Sequence, residues 1–518
     1  MSLSLPGYYY DEVKKKYFKI EKSHSAPASA AWSAANVKRR KLENEHTAAK
    51  HARADRTKRN VKRARALREP LLGGFLDRQL GIGAPDAEVS AAVWASGLVD
   101  RHHVGFVDDS RRGAVPNLGC LWVGGEDTRT GVGVAYTSLS ESSSVRSTYI
   151  HTDSCGIVGQ RTSPTQQRIT TTNVVYEESV QCNQVSSISY HQPSHRMLVT
   201  TREPSNDPGV HFFSPRVTSP TEDRPHWELG SPRLPANHYK SVHMAPGRRT
   251  YSVNLATPAP TASSELMCTL ATDDGIIRLT SNSNISWITP KADGAHQRPL
   301  PMDVLAQAFN VANPSILYAG TRSSTVRTLD LRAPPQAWSC FRAASAVTHL
   351  RSLDSNPNHI LVAALRSNLH IYDLRFLKTE PSAQTRSEVP RMKKRNRGRD
   401  HGRSAQPSGP AVVQPATPVL TFPEYRNEAH THIGFDVNQD VGVVAAAHDT
   451  HDGRVALYSL RSGLRLRAPA VDRASTRGPV RSLVFQSMPM ERHASLWIGH
   501  QGVVKKYSVG VSGEDDEA

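Results

Sequence analysis

The sequence predicts an all-β propeller of about seven blades, and three observations lead there. From about residue 115 short β-rich runs recur between turn residues, with no sustained helical period. Two segments share one grammar: DVLAQAFNVANPSILYAGTRSSTVRTLDLR (303–332) and SAVTHLRSLDSNPNHILVAALRSNLHIYDLR (345–375). Their DLR tripeptides start at Asp330 and Asp373, 43 residues apart, which is the repeat length of a WD40 blade. One four-stranded sheet cannot bury both its faces alone. Stacking blades radially buries them and leaves only short edges.

The second segment reads as strand 347–353, turn 355–358, strand 360–365, turn 366–368 and strand 369–374. Less regular units fit the same template at 185–215, 241–280, 433–461 and 480–508, and a poorer one at 120–139. GGEDTRTGVGV (124–134) lacks phosphate-loop spacing and reads as a hairpin turn. HDTHDG (448–453) gathers His448, Asp449, His451 and Asp452, but strands flank it, so a blade loop is expected rather than a metal site. His102-His103 has no carboxylate partner in view and reads as a surface pair. Residues 376–418 are polar and rich in Pro and Gly, and read as a disordered loop between two blades. The propeller is thus expected over 114–375 and 419–510, with an acidic tail at 511–518.

Upstream stands an aromatic head, LPGYYYDEVKKKYFKIE, inside residues 1–21. Tyr8, Tyr9 and Tyr10, then Tyr17 and Phe18, are β-favouring runs around a polar turn, so a hairpin with cross-strand aromatic pairs is expected. An isolated hairpin is marginal in water, so this head needs a surface to dock on: the protein itself or a partner. Residues 22–113 read as a basic extension. Within it, 33–69 is rich in helix formers but polar nearly all round, hence an exposed or conditional helix.

The net charge is +17, and two segments hold nearly all of it. Residues 38–68 carry thirteen Lys/Arg against three acids, and residues 376–418 carry nine against three. The runs VKRRK (37–41), KRNVKRAR (58–65) and KKRNRGR (393–399) read as nuclear localisation signals. They lack the interleaved aromatics that stack bases, so nucleic acid is at most a weak partner. The five cysteines are scattered, with no CxxC, which argues for a reduced compartment and against a cysteine zinc site. No stretch of eighteen apolar residues exists, so no membrane helix is expected.

The tandem DLR units, together with the LPGYYYD…KYF head and the basic segment behind it, resemble the WD repeat-containing protein 21 type of Cullin-4-associated factor, as a divergent member. The resemblance implies a non-catalytic substrate receptor of a Cullin-4 RING ubiquitin ligase. In such factors WDxR boxes dock the propeller on the adaptor damaged-DNA-binding protein 1, which bridges to the Cullin-4 scaffold. Carried over, the boxes are Leu329-Asp330-Leu331-Arg332 and Tyr372-Asp373-Leu374-Arg375, with Leu329 and Tyr372 where the family has Trp. Tyr458-Ser459-Leu460-Arg461 is a weaker third copy that has lost its Asp. The implied adaptor-binding residues are Asp330, Arg332, Tyr372, Asp373 and Arg375, and the target protein is unknown. No cofactor, metal or catalytic residue is expected, and the expected location is nuclear, with a cytoplasmic share. The competing reading is a ligase-independent nuclear scaffold for chromatin or ribonucleoprotein.

Overall fold

The computed structural model describes residues 7–11, 14–21, 30–48, 86–107, 116–124, 132–139, 144–152, 157–159, 178–182, 184–202, 209–213, 216–217, 227–229, 239–243, 251–260, 265–289, 302–334, 338–376, 416–488, 491 and 493–509. The chain divides into two compact units, Met1–Ala84 and Pro85–Ala518.

The second unit is a seven-bladed β-propeller built of antiparallel sheets. Blade 1 has Leu118–Gly124, Val132–Leu139 and Ser144–Thr152, with Val158–Gly159 and Glu178–Gln181 both pairing with the third strand. Blade 2 follows with Val185–His191, Arg196–Thr201, Gly209–Phe213 and Tyr239–His243, and blade 3 with Val253–Pro258, Leu266–Thr272, Gly275–Thr280 and Ile285–Trp287. Blade 4 comprises Val304–Phe309, Ile316–Thr321, Thr325–Asp330 and Ser339–Arg342, and blade 5 Val347–Ser352, His359–Ala364, Asn368–Asp373 and Leu420–Thr421. Blade 6 is Phe435–Asn438, Val443–Ala447, Val455–Ser459 and Arg465–Leu466. Blade 7 takes Leu483–Gln486, Ser495–His500 and Val503–Val509 from the end of the unit, and its fourth strand, Leu98–Gly105, from the start. That pairing closes the ring with backbone hydrogen bonds, so no blade is left with an open joint.

The second strands show why these sequences become blade interiors. ILYAGT, HILVAA, VVAAA and SLWIGH are apolar runs rather than alternating ones, and nearly every residue in them is buried. A strand covered on both faces needs that pattern. Small residues sit where the next blade presses in: a Cβ at Gly320 would lie 2.4 Å from Val347 Cγ1 of blade 5. Seven apolar clusters result, one for each seam between neighbouring blades. The seam between blades 6 and 7 also takes up Ala91, Trp94 and Ala95 from a helix, Asp86–Ser96.

Two sequence expectations are corrected. Residues 86–107 belong to the propeller unit and not to the N-terminal extension expected to run to 113. The basic insert lies inside blade 5, between its third strand and Leu420–Thr421, because that short strand pairs with Asn368–Asp373. The expected disorder of the insert, and the tail at 511–518, lie outside the described residues.

Successive strands run in opposite directions. The starts of first strands and the ends of second strands therefore share one face, here called the upper. The first-to-second and third-to-fourth turns share the lower face.

Candidate functional site

Both DLR boxes stand on the lower face, where the third strands of blades 4 and 5 end at Asp330 and Asp373. Each carboxylate holds the arginine two residues on. Asp330 accepts the Arg332 backbone N–H and Nε at 3.0 Å each, and Nη2 at 2.9 Å. Asp373 accepts the same three donors of Arg375 at 3.0, 3.0 and 2.7 Å. The backbone bond closes a short Asx turn at the strand end. The two side-chain bonds form a fork-to-fork pair that fixes the guanidinium plane. Two of the five guanidinium N–H groups are used, and three remain for another surface. Both arginines are over half exposed, at 64% and 55%.

The boxes differ in depth. The Asp373 carboxylate is buried and also faces His359 Nε2 at 3.3 Å, whereas Asp330 is one-third exposed. The Arg332 side chain, then its backbone N–H, pulls the Asp330 carboxyl down to about 2. The Arg375 fork likewise holds Asp373 well below the usual carboxylate range. At both sites the pairing raises the arginine further.

The positions where the family pattern has Trp are buried seam residues. Leu329 lies in the seam of blades 3 and 4, and Tyr372 packs on Phe341 with ring centroids 5.1 Å apart. A tryptophan returns to the first box from elsewhere: Trp338 donates its indole N–H to the Asp330 carbonyl at 3.2 Å.

The third, degenerate box is occupied from within the chain. Ser459 holds its turn by accepting the Arg461 and Ser462 backbone N–H at 3.2 and 3.3 Å. Its hydroxyl donates to Glu88 of the 86–96 helix, and Ser462 Oγ donates to the same carboxylate at 2.8 Å. Trp94 of this helix meets Phe485 edge-on at 5.8 Å. Among the described residues the lower face is therefore covered at blades 6 and 7, and open at blades 4 and 5.

The exposed large apolar side chains of the propeller unit, among the described residues, are Val311, Phe376, Val419, Leu464 and Val509. Each lies at a first-strand end, a third-strand end or a third-to-fourth turn, hence on the lower face. Phe376 lies beneath the Arg375 guanidinium, 5.6 Å from ring centroid to Cζ.

The head forms the expected hairpin in the first unit. Tyr8–Asp11 pairs with Lys16–Lys19 in the register Tyr8↔Lys19, Tyr9↔Phe18, Tyr10↔Tyr17. The Tyr10 and Tyr17 rings lie 4.8 Å apart. Part of the surface it needs is the segment behind it. Phe18 stacks on Trp32 at 4.9 Å, and Arg40 of the helix over 34–48 lies over the Tyr9 ring and hydrogen-bonds its hydroxyl. Tyr8 and Tyr17 remain exposed. The run 37–41 lies on that largely exposed helix, whereas 58–65 and 393–399 lie outside the described residues.

In HDTHDG, His448 Nε2 meets the buried Tyr458 hydroxyl at 2.8 Å, and the Gly453 N–H closes a turn on the Thr450 carbonyl. Among the described residues no group of three or more His, Cys, Asp or Glu is arranged to hold a metal ion. The His102-His103 pair lies on the closing strand, where a bulge puts His102 at φ 67° and the Asp100 side chain accepts its N–H at 3.0 Å. Cys120, Cys182, Cys268 and Cys340 are free thiols, and Cys155 lies outside the described residues. No described helix is long and apolar enough to cross a membrane.

No protein-family model matches the chain. No curated protein matches it either. Among solved structures it is similar to the WD40 β-propeller domain of Doa1, at 8% identity and a TM-score of 0.46, over 80% of this chain and 98% of that domain. That likeness concerns the fold alone; the seven-bladed assignment rests on the strand pairing described above.

Proposed function

We propose that this propeller is a non-catalytic receptor subunit of a Cullin-4 RING ubiquitin ligase, docking its adaptor on the lower face of blades 4 and 5. The observation that carries the reading is the repetition of one device on adjacent blades. Each box offers a guanidinium locked in plane by its own carboxylate, amid the exposed Val311, Phe376 and Val419. A locked fork loses little side-chain entropy on binding, and apolar side chains beside it supply area that can be desolvated. Arginine with an aromatic neighbour is the composition of interface anchors.

On this reading ubiquitin transfer belongs to the partner subunits, and the propeller supplies position. The 86–96 helix, seated on the third box, limits the docking surface to two boxes. The exposed basic run at 37–41 supports nuclear import as the accompanying expectation. Co-purification tests the docking. The adaptor is recovered with wild-type protein and lost with the Arg332→Ala/Arg375→Ala double variant. Equal recovery from both, or none from wild type, would refute it.

A further inference from the structure

The upper face carries a different feature. Arg202 follows the second strand of blade 2, Arg322 the second strand of blade 4, and Arg481 precedes the first strand of blade 7. His432 precedes the first strand of blade 6. Each comes from a different stretch of sequence, and ring closure brings them to one channel mouth. A cavity of about 440 Å3 opens there, lined by Arg202, Arg481, His432, Cys120 and Ser138 among others, with no Asp or Glu among the described residues of its wall. It continues into a smaller cavity of about 230 Å3 that reaches the first strands of all seven blades.

Among the described residues the positive charge at this mouth is largely uncompensated. Asp303 is the acid beside it, and it is already engaged by Arg322 and by Asn254 Nδ2 at 3.2 Å. Arg202 donates through Nη2 to His432 Nε2, while its Nε is buried without a hydrogen-bond partner. Burial, with help from Arg202, Arg481 and Arg322, pushes His432 down to about 4, so the imidazole is neutral and accepts that bond at neutral pH. Burial, and repulsion from Arg322 and Arg481, also lower the pKa of Arg202. Cys120 is held as a neutral thiol by burial. Among the described residues the molecule thus keeps two guanidinium groups, Arg202 and Arg481, together without an ion-pair partner, an arrangement that an arriving anion relieves.

We propose that the channel mouth is an anion-binding site for a phosphorylated side chain on a bound polypeptide. Planar guanidinium forks match phosphate oxygens, and a phosphate monoester brings close to two negative charges in one small group. A pocket at a channel mouth suits a single side chain better than a strand of nucleic acid, which needs a groove and aromatic platforms for its bases. None of the described cavity-wall residues is Phe, Tyr or Trp. The site is independent of adaptor docking, since it lies on the opposite face from the boxes.

The test uses the full chain and a capped Ala-Gly-phosphoserine-Gly-Ala peptide, with Ser and Glu counterparts, inorganic phosphate and a single-stranded oligonucleotide as further probes. Saturable binding of the phosphopeptide is expected by calorimetry, weakened about tenfold or more by loss of one charged partner in Arg481→Ala. Arg481 is exposed, so that variant leaves the core untouched. Arg202→Ala should act the same way, and Arg332→Ala on the other face should have no effect. No saturable phosphopeptide binding, or binding unchanged in Arg481→Ala, would overturn the site. Binding of inorganic phosphate alone, equal binding of the Ser or Glu peptide, or tighter Arg481-dependent binding of the oligonucleotide would overturn the assigned ligand.

Discussion

Asp373→Asn and Asp330→Asn make one chemical change at two depths. In each box the carboxylate accepts a backbone N–H, Nε and Nη2 of the arginine. Asparagine keeps one acceptor oxygen and turns the other into an NH2 group. Placed against Nη2, that group sets donor against donor. Asp373 is 4% exposed, so its lost bond is not replaced by water. A net hydrogen bond to a charged group is worth about 1.5–3 kcal/mol, and a buried donor without a partner adds a further cost, so about 2–4 kcal/mol is expected at Asp373. At Asp330, 35% exposed, water takes over the bonds and no loss of stability should be resolved. Guanidinium melts followed by tryptophan fluorescence would read the difference. In a heat scan the Asp373 variant should fall by about 2–4 °C, given how the unfolding entropy grows with size. Equal stability of both variants and wild type, or an equal loss at Asp330, would refute the claim that depth separates the two boxes.

Three further outcomes follow from the same geometry. Removing residues 86–107 deletes the fourth strand of blade 7 and the helix packed on its seam, so the chain should elute as aggregate in size exclusion; a monomer with an unchanged melt would contradict the closure. Burial pushes His448 and His500 each down to about 4, below an unfolded value of about 6.5, so the folded state takes up fewer protons between those values. Stability should therefore fall as pH drops from about 6.5 to about 4, by about 1.4 kcal/mol per pH unit for each histidine, and level off below. His448→Gln should flatten that slope in melts across pH, and an unchanged slope would count against the assignment. Trp32→Ala removes the ring stacked on Phe18 and should loosen the head hairpin, seen as faster amide exchange at Tyr9–Asp11; unchanged exchange would mean the hairpin is held elsewhere.

The first three strands of blades 4 and 5 were legible in the sequence because what builds them is local. These first three strands follow one another within about ten residues through tight turns, and the repeated DLR fixes the period. The expected strand at 347–353 is observed as Val347–Ser352, 360–365 as His359–Ala364, and 369–374 as Asn368–Asp373. Leu98–Gly105 was illegible because Leu98 pairs with Val509 across almost the whole chain, and its LVDRHHVG pattern is broken by a bulge. Leu420–Thr421 is two residues long, too short to announce a strand, which is why the insert was placed between blades. The box residues could be named from sequence, but their mutual locking could not, since Asp–x–Arg spacing alone does not fix a rotamer. Glu88 on the third box and the arginine cluster of the upper face depend on tertiary closure. Neither has a local signal.

The proposed docking is tested most directly by hydrogen–deuterium exchange of the full chain with and without the purified adaptor damaged-DNA-binding protein 1. Docking on the lower face of blades 4 and 5 predicts slowed exchange there, at 310–315, 331–333, 374–376 and 418–420, and no change around Arg202 and Arg481. Absence of any protection, or protection confined to the upper face, would contradict it.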